Sequence, residues 1–112
     1  MLSTMQDVPL TITTIMRHAC DVNCDRTVTT AMGEGCYRSC TYRDVGEQAG
    51  RLANALRAIG IDGDERVGTF MWNNQEHLEA YFGVPSMGAV LHTLNIRLPG
   101  AQVAQIAGHA GD

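Results

Sequence analysis

Four cysteines and four histidines are the side chains of this 112-residue chain best suited to holding a metal or attacking a substrate. Cys20, Cys24, Cys36 and Cys40 follow the spacing C-x3-C-x11-C-x3-C with His18 nearby, and loops of that length occur in zinc sites. The geometry of an extended chain opposes that use. On one strand Cys36 and Cys40 share a face but stand ~13 Å apart, whereas a tetrahedral zinc holds its sulfurs within about 4 Å of one another. A turn at Tyr37-Arg38-Ser39 could close the distance, but the segment has neither Gly nor Pro. Small, partly buried thiols are the expectation. His18, His77, His92 and His109 show neither an HExxH pattern nor a paired spacing. Glu76 and Glu79, three apart on a predicted helix, read as a solvated face and not as an acid-base pair. Gly33-Glu34-Gly35 has Arg38 where a dinucleotide loop needs its third glycine, and no helix follows, so it reads as a turn.

The strongest exclusion comes from a residue that is missing. All eight basic residues are Arg. Without Lys there is no Walker-type phosphate grip, no Schiff base and no lysine general base. No catalytic, cofactor-binding or metal-ligating residue is therefore assigned. Eight Arg against twelve Asp and Glu, with no basic cluster and a net charge of −4, leave no electrostatic footprint for nucleic acid. The N-terminus has no positive charge before Arg17, and no apolar run exceeds three residues, so neither a signal peptide nor a transmembrane helix is expected. A cytoplasmic location with free thiols follows as the expectation.

At 45% apolar and 18% charged, the chain has the composition of one soluble domain or part of one. The elements that would position its side chains are legible from periodicity. Ile12, Ile15, Met16 and Ala19 predict a short helix over Leu10 to Cys20, with Pro9 upstream. Arg26 to Met32 and Cys36 to Thr41 predict a β-hairpin about Gly33-Glu34-Gly35. Thr41 with Asp44 predicts a capped helix bearing the stripe Val45, Ala49, Leu52, Leu56 and Ile59, closed by Gly60. Arg66 to Trp72 predicts a strand. Asn73 with Glu76 predicts the start of a helix carrying Leu78, Tyr81 and Phe82 and weakened by Gly83 and Pro85. Val90 to Leu94 predicts a second strand, and a last helix starts at about Pro99 with Val103, Ile106 and Ala107 on one side. The fold class is α/β: a β-hairpin, then a βαβ unit whose strands lack polar alternation and so belong to a parallel sheet covered on both faces, with flanking helices. Trp72, Tyr81 and Phe82 are expected in the core.

The stretch GDERVGTFMWNNQEHLEAYFGVPSMGAVLHTLNIRL resembles the N-terminal part of a bacterial fatty-acid-CoA ligase, an acyl-CoA synthetase of the adenylate-forming superfamily. Upstream, TYRDVGEQAGRLANALRAIGI resembles the helix that follows the first hairpin of such enzymes. The resemblance implies that residues 1–112 are the N-terminal piece of the large adenylating domain. It implies a reaction in which a fatty acid attacks the α-phosphate of ATP and coenzyme A thiolate then displaces AMP, with magnesium as the family's metal. The family's phosphate loop ending in Gly-Lys, its aromatic-Thr-Glu segment, its ribose-holding Asp and its C-terminal Lys have no counterpart in these residues. What is matched is scaffold: Asn73 as a helix cap, Pro85 and Gly88 at a helix-to-strand junction, and Arg97 in the loop after the second strand. The expectation is a truncated ligase without autonomous activity. The alternative is a non-catalytic interaction module, zinc-stabilised through Cys20, Cys24, Cys36 and Cys40. Because Val67 to Trp72 and Val90 to Leu94 read as apolar on both faces, unpaired edges predict a chain that self-associates or packs loosely.

Overall fold

The computed structural model describes residues 4–112 as four helices and two small sheets. Helix α1, Ile12–Val22, starts where the Thr11 hydroxyl accepts from the Thr14 N–H. Strands β1, Thr27–Gly33, and β2, Cys36–Thr41, pair antiparallel with Thr27 opposite Thr41 and a bulge between Ala31 and Gly33. Gly33, Glu34 and Gly35 all take positive φ, the twist a tight hairpin demands, and Gly carries two of the three positions at no steric cost.

Helix α2, Tyr42–Ala58, begins directly at the end of β2. Thr41 accepts from the Asp44 N–H while the Asp44 carboxylate accepts from the Thr41 N–H, the reciprocal box its sequence predicts. The Thr41 N–H and then the Thr41 hydroxyl, both donating to the Asp44 carboxylate, hold that carboxyl below its ordinary range. Val45, Ala49 and Ala53 are buried along α2, Leu52 and Leu56 half-buried. The expected stripe fails only at Ile59, which lies past the last helical residue and is 77% exposed, with Gly60 turning the chain at φ 98°.

Strand β3, Arg66–Thr69, helix α3, Gln75–Ser86, and strand β4, Val90–Thr93, form the expected βαβ unit. The strands are parallel, with Arg66 beside Val90 and Thr69 beside Thr93. β3 stops at Thr69, short of the predicted Trp72. The cap of α3 is Asn74, whose side chain accepts from the His77 N–H, and not Asn73. Pro85 sits inside the last turn of α3, and Gly88, at φ 100°, reverses the chain into β4. α2 and α3 cross closely because position 83 is glycine: a Cβ there would come within 2.8 Å of the Ala49 carbonyl oxygen. The core is Ala53, Val84, Met87 and Ala89, with Leu56, Ile61, Val67 and Leu91 packed around it. The hairpin is tied to α3 by Thr30, whose hydroxyl accepts from the Gln75 N–H, and by Arg38, whose guanidinium meets Glu76 at 2.6 Å.

The two faces of this small sheet are covered unequally. α3 covers one face, where Val67 and Leu91 join the core, but Val90 on the other face is 48% exposed. Helix α4, Gly100–Ala110, buries no residue and is tied to β4 through Asp112 just past its end, whose carboxylate lies 2.8 Å from His92 Nδ1. Two strands and one covering helix make too few layers to enclose the aromatic side chains. Trp72 is accordingly 68% exposed and Tyr81 45% exposed, neither in the core; Phe82 is half-buried.

Candidate functional site

In open α/β sheets, ligands lodge outside the carboxyl ends of the parallel strands. The corresponding ends of β3 and β4 open here into a crevice of about 510 Å³ lined by Trp72, Asn73, His77, Tyr81, Asn95 and Arg97. Two loops build it, the one leaving β3 and the one leaving β4. Asn95 shapes the second by accepting the Arg97 N–H at 2.9 Å, a short side-chain turn that precedes α4.

His77 anchors the first loop. Its ring is buried, with Nε2 at 3.1 Å from the Thr69 hydroxyl and Nδ1 at 3.2 Å from Asn73 Oδ1. An amide oxygen only accepts, so this arrangement puts the ring proton on Nδ1 and leaves Nε2 to accept from Thr69. The Thr69 hydroxyl has a second acceptor, the His92 carbonyl at 3.5 Å, and the shorter bond to His77 takes its single proton. Tyr81 lies over the imidazole with ring centroids 4.8 Å apart. Hydroxyl, imidazole and amide in this order are the parts of a nucleophilic relay. Thr69 is buried, however, and its hydroxyl has two protein acceptors, so the set works as a fastener that joins the end of β3 to α3 and fixes where Asn73 and Trp72 enter the crevice.

The residues singled out from sequence are mostly dispersed. Cys20 lies on α1, Cys24 just beyond it, and Cys36 and Cys40 on β2. Cys36 is exposed and the other three are partly buried. Burial first, then neighbouring carboxylates, pushes the Cys20 and Cys40 thiols above their ordinary range, which makes them poor nucleophiles and poor ligands. Among the described residues no three His, Cys, Asp or Glu side chains converge on a metal position, so the zinc-stabilised alternative finds no support. His18, on α1, and His109, on α4, make no bond to the crevice; His92 pairs with Asp112. Glu76 is held below its ordinary range by its own backbone N–H and then by Arg38, with Oε2 buried and unpartnered, and Glu79 accepts from Gln75 at 2.7 Å; both are half-buried, so they do not form the solvated face their spacing predicts. Gly33-Glu34-Gly35 is a hairpin turn. Arg97 does reach the crevice, as does Asn73, though as a ring partner and not as a cap. Sequence reading missed the pairing of Thr69 with His77; a histidine three residues past a cap and eight past a strand-ending threonine was its one available signal.

Comparison with known proteins gives a consistent answer. Residues 16–112 match the family described as AMP-binding enzyme. The chain is 41% identical over 110 residues to a long-chain-fatty-acid–CoA ligase of Thermus thermophilus, covering 98% of this chain and 20% of that protein. It is 36% identical over 112 residues to a 3-methylmercaptopropionyl-CoA ligase of Ruegeria pomeroyi, covering 100% of this chain and 21% of that protein. Among solved structures, a fatty acyl CoA synthetase of Mycobacterium tuberculosis superposes with a TM-score of 0.76 at 26% identity, over 91% of this chain and 20% of that one. The chain thus spans about a fifth of the length of the curated relatives it matches.

Proposed function

Because the chain belongs to the AMP-binding enzyme family, we propose that it is the scaffold-forming part of an acyl-CoA ligase that activates a fatty acid with ATP and passes the acyl group to coenzyme A. The observation that carries this reading is the match to acyl-CoA ligases across the whole chain, at a level of identity that reaches 41%. In the reaction that the resemblance implies, a carboxylate attacks the α-phosphate of ATP and expels pyrophosphate, and a thiolate then displaces AMP. Stabilising that phosphoryl centre needs preorganised donors or cations. These 112 residues contain no Lys, and among the described residues no donor set fits magnesium, so no catalytic step is assigned to them. Their part is to hold a βαβ unit, its crevice and the docked hairpin in place as one partial domain. No helix among the described residues is long and apolar enough to cross a membrane, and four free thiols suit the reducing cytoplasm, where we place the reaction.

Two measurements test the reading. Acyl-dependent exchange of pyrophosphate into ATP by the 112-residue protein stays at the level of a no-protein blank; exchange that survives repurification overturns the assignment of a purely scaffolding role. Substituting this chain for the matching segment of the Thermus thermophilus ligase leaves a folded enzyme that still forms acyl-CoA; a folded but inactive chimera overturns the family role.

A further inference from the structure

We infer that Cys20 and Cys24 are a reversible redox pair: a low-molecular-weight disulfide of the glutathione type joins them, and the bridge releases the end of α1 from α2. The inference goes beyond the ligase reading and does not rest on it. Every contact it uses lies within residues 19–46, so none is a surface that further elements of the domain would have to complete.

Both cysteines are partly buried and held against the same turn of α2. The Cys20 thiol donates to the Tyr42 carbonyl at 3.4 Å, and the Cys24 carbonyl accepts from the next residue of α2, through the Arg43 N–H, at 3.1 Å. Glycine at 46 makes room for the sulfur: a Cβ there would stand 2.5 Å from Cys20 Sγ. The reduced thiol is thus a peg that seats α1 on α2.

Cys24 comes four residues later, beyond Val22, the last residue of α1, in a turn closed by the Arg26 N–H on the Asn23 carbonyl. Side chains four apart on a helix hold their Cβ atoms about 5–6 Å apart, whereas a disulfide needs about 4 Å. Because Cys24 lies outside the helix, the turn can close that gap, but only by drawing Cys20 off its seat at Gly46. The nearness of the two sulfurs also shows in the Cys20 thiol, which burial first, then Asp21 and Cys24, push above its ordinary range. A bridge made at the expense of packing is easily reduced, which suits a switch and not a staple. Transient, redox-sensing bridges are the kind a reducing compartment holds. Cys36 and Cys40, ~13 Å apart on one strand, cannot form an equivalent.

In the forward step Cys24, as thiolate, attacks one sulfur of glutathione disulfide, whose S–S bond breaks and releases one glutathione thiolate. Cys20, the harder thiol to ionise, then loses its proton to water and displaces the second glutathione from Cys24. Two protein thiols are oxidised and one disulfide is reduced to two glutathione thiols, which take up the two protons through water.

The test treats the native 112-residue protein with glutathione disulfide, alkylates the remaining thiols and cuts with trypsin. Arg17 and Arg26 bracket both cysteines, and Arg38 separates Cys36 from Cys40. The peptide His18–Arg26 is therefore expected lighter by two hydrogens and free of alkylation. In the intact oxidised protein, amide exchange at Asn23 and Arg43 quickens about tenfold, and dithiothreitol restores it. In Cys24→Ser the same oxidant leaves both amides as they were. The inference is overturned by a peptide 18–26 that carries two glutathione or two alkyl groups, or by a bridge from Cys20 or Cys24 to Cys36 or Cys40. A Cys20–Cys24 bridge that leaves exchange at Arg43 unchanged overturns it as well, as does a response that persists in Cys24→Ser.

Discussion

His77 shows how a side chain serves a site without touching a reactant. Its two ring nitrogens are occupied by Thr69 and Asn73, so the loop after β3 has one conformation that satisfies both. Thr69→Val removes the hydroxyl and leaves buried Nε2 without a partner, and a lost partner for a buried polar atom costs about 1–3 kcal/mol. The expected outcome is a lower urea midpoint at unchanged m-value, measured by far-UV CD; a midpoint within error of the parent contradicts the fastening role. A second expectation concerns pH. The carboxyls of Asp44 and Glu76 are depressed in the folded protein, so they bind protons less readily there than in the unfolded chain. Their contribution is complete above the ordinary carboxylate range and is lost as pH falls through the depressed native values. Glu76→Gln should flatten that acid limb of a stability-against-pH curve, and an unchanged limb would show that Arg38 contributes nothing through Glu76. Asp44 is exposed and Glu76 half-exposed, so solvent screens both and the slopes are shallow.

Helix ends and helix crossings carry the predictions at the level of the element. Asn74→Ala removes the cap of α3 and costs about 1 kcal/mol. Asn73→Ala leaves that cap in place but strips the partner from His77 Nδ1, a loss of the same order. Amide exchange at the His77 N–H separates the two, because it quickens only when the asparagine that caps the helix is lost. Gly83→Ala is expected to be the harsher change, because its Cβ would meet the Ala49 backbone, which cannot rotate away. Separating two packed helices costs about 1–3 kcal/mol, and a variant as stable as the parent would show that α2 and α3 can part freely. Much at this scale was legible in the sequence. Thr41 with Asp44, the Gly-Glu-Gly turn and the β-branched strands each act through neighbours a few residues away, and each appears as its pattern predicts. Tandem asparagines at 73 and 74 were ambiguous because either spacing places an oxygen near a free helical N–H. Trp72 and Tyr81 were misplaced in the core because apolar character says what a side chain prefers, and only the number of layers says whether anything covers it. The pairing of Thr69 with His77 depends on how α3 folds back over β3, which no local pattern records.

The whole molecule is open for its mass. Its accessible surface is 8085 Å², whereas a self-contained globule of this mass exposes ~6,000 Å². The Cα radius of gyration is 16.4 Å, against ~13 Å for a compact chain of this length. Part of the difference is the extended segment before α1, where Leu10 is fully exposed, and part is the uncovered sheet and α4. We therefore expect the isolated protein to bind an apolar dye and to scatter X-rays with a radius of gyration clearly above the compact value. A compact scattering profile with no dye binding and a sharp melt would show that the chain closes its own core. In the ligase reading that surface belongs to an interior which the rest of the domain completes, consistent with a chain that spans a fifth of its relatives.

Trp72 gives this openness an optical consequence. It is the sole indole of the chain and stands at the mouth of the crevice, already wet in the native state. Its emission is therefore close to that of a tryptophan in water before any denaturant is added, and a fluorescence melt would register almost nothing. The same exposure makes it a quiet background against which an arriving partner is conspicuous. Whatever settles over the ends of β3 and β4 must shift that emission to the blue, so the residue that cannot report unfolding is the one that reports company.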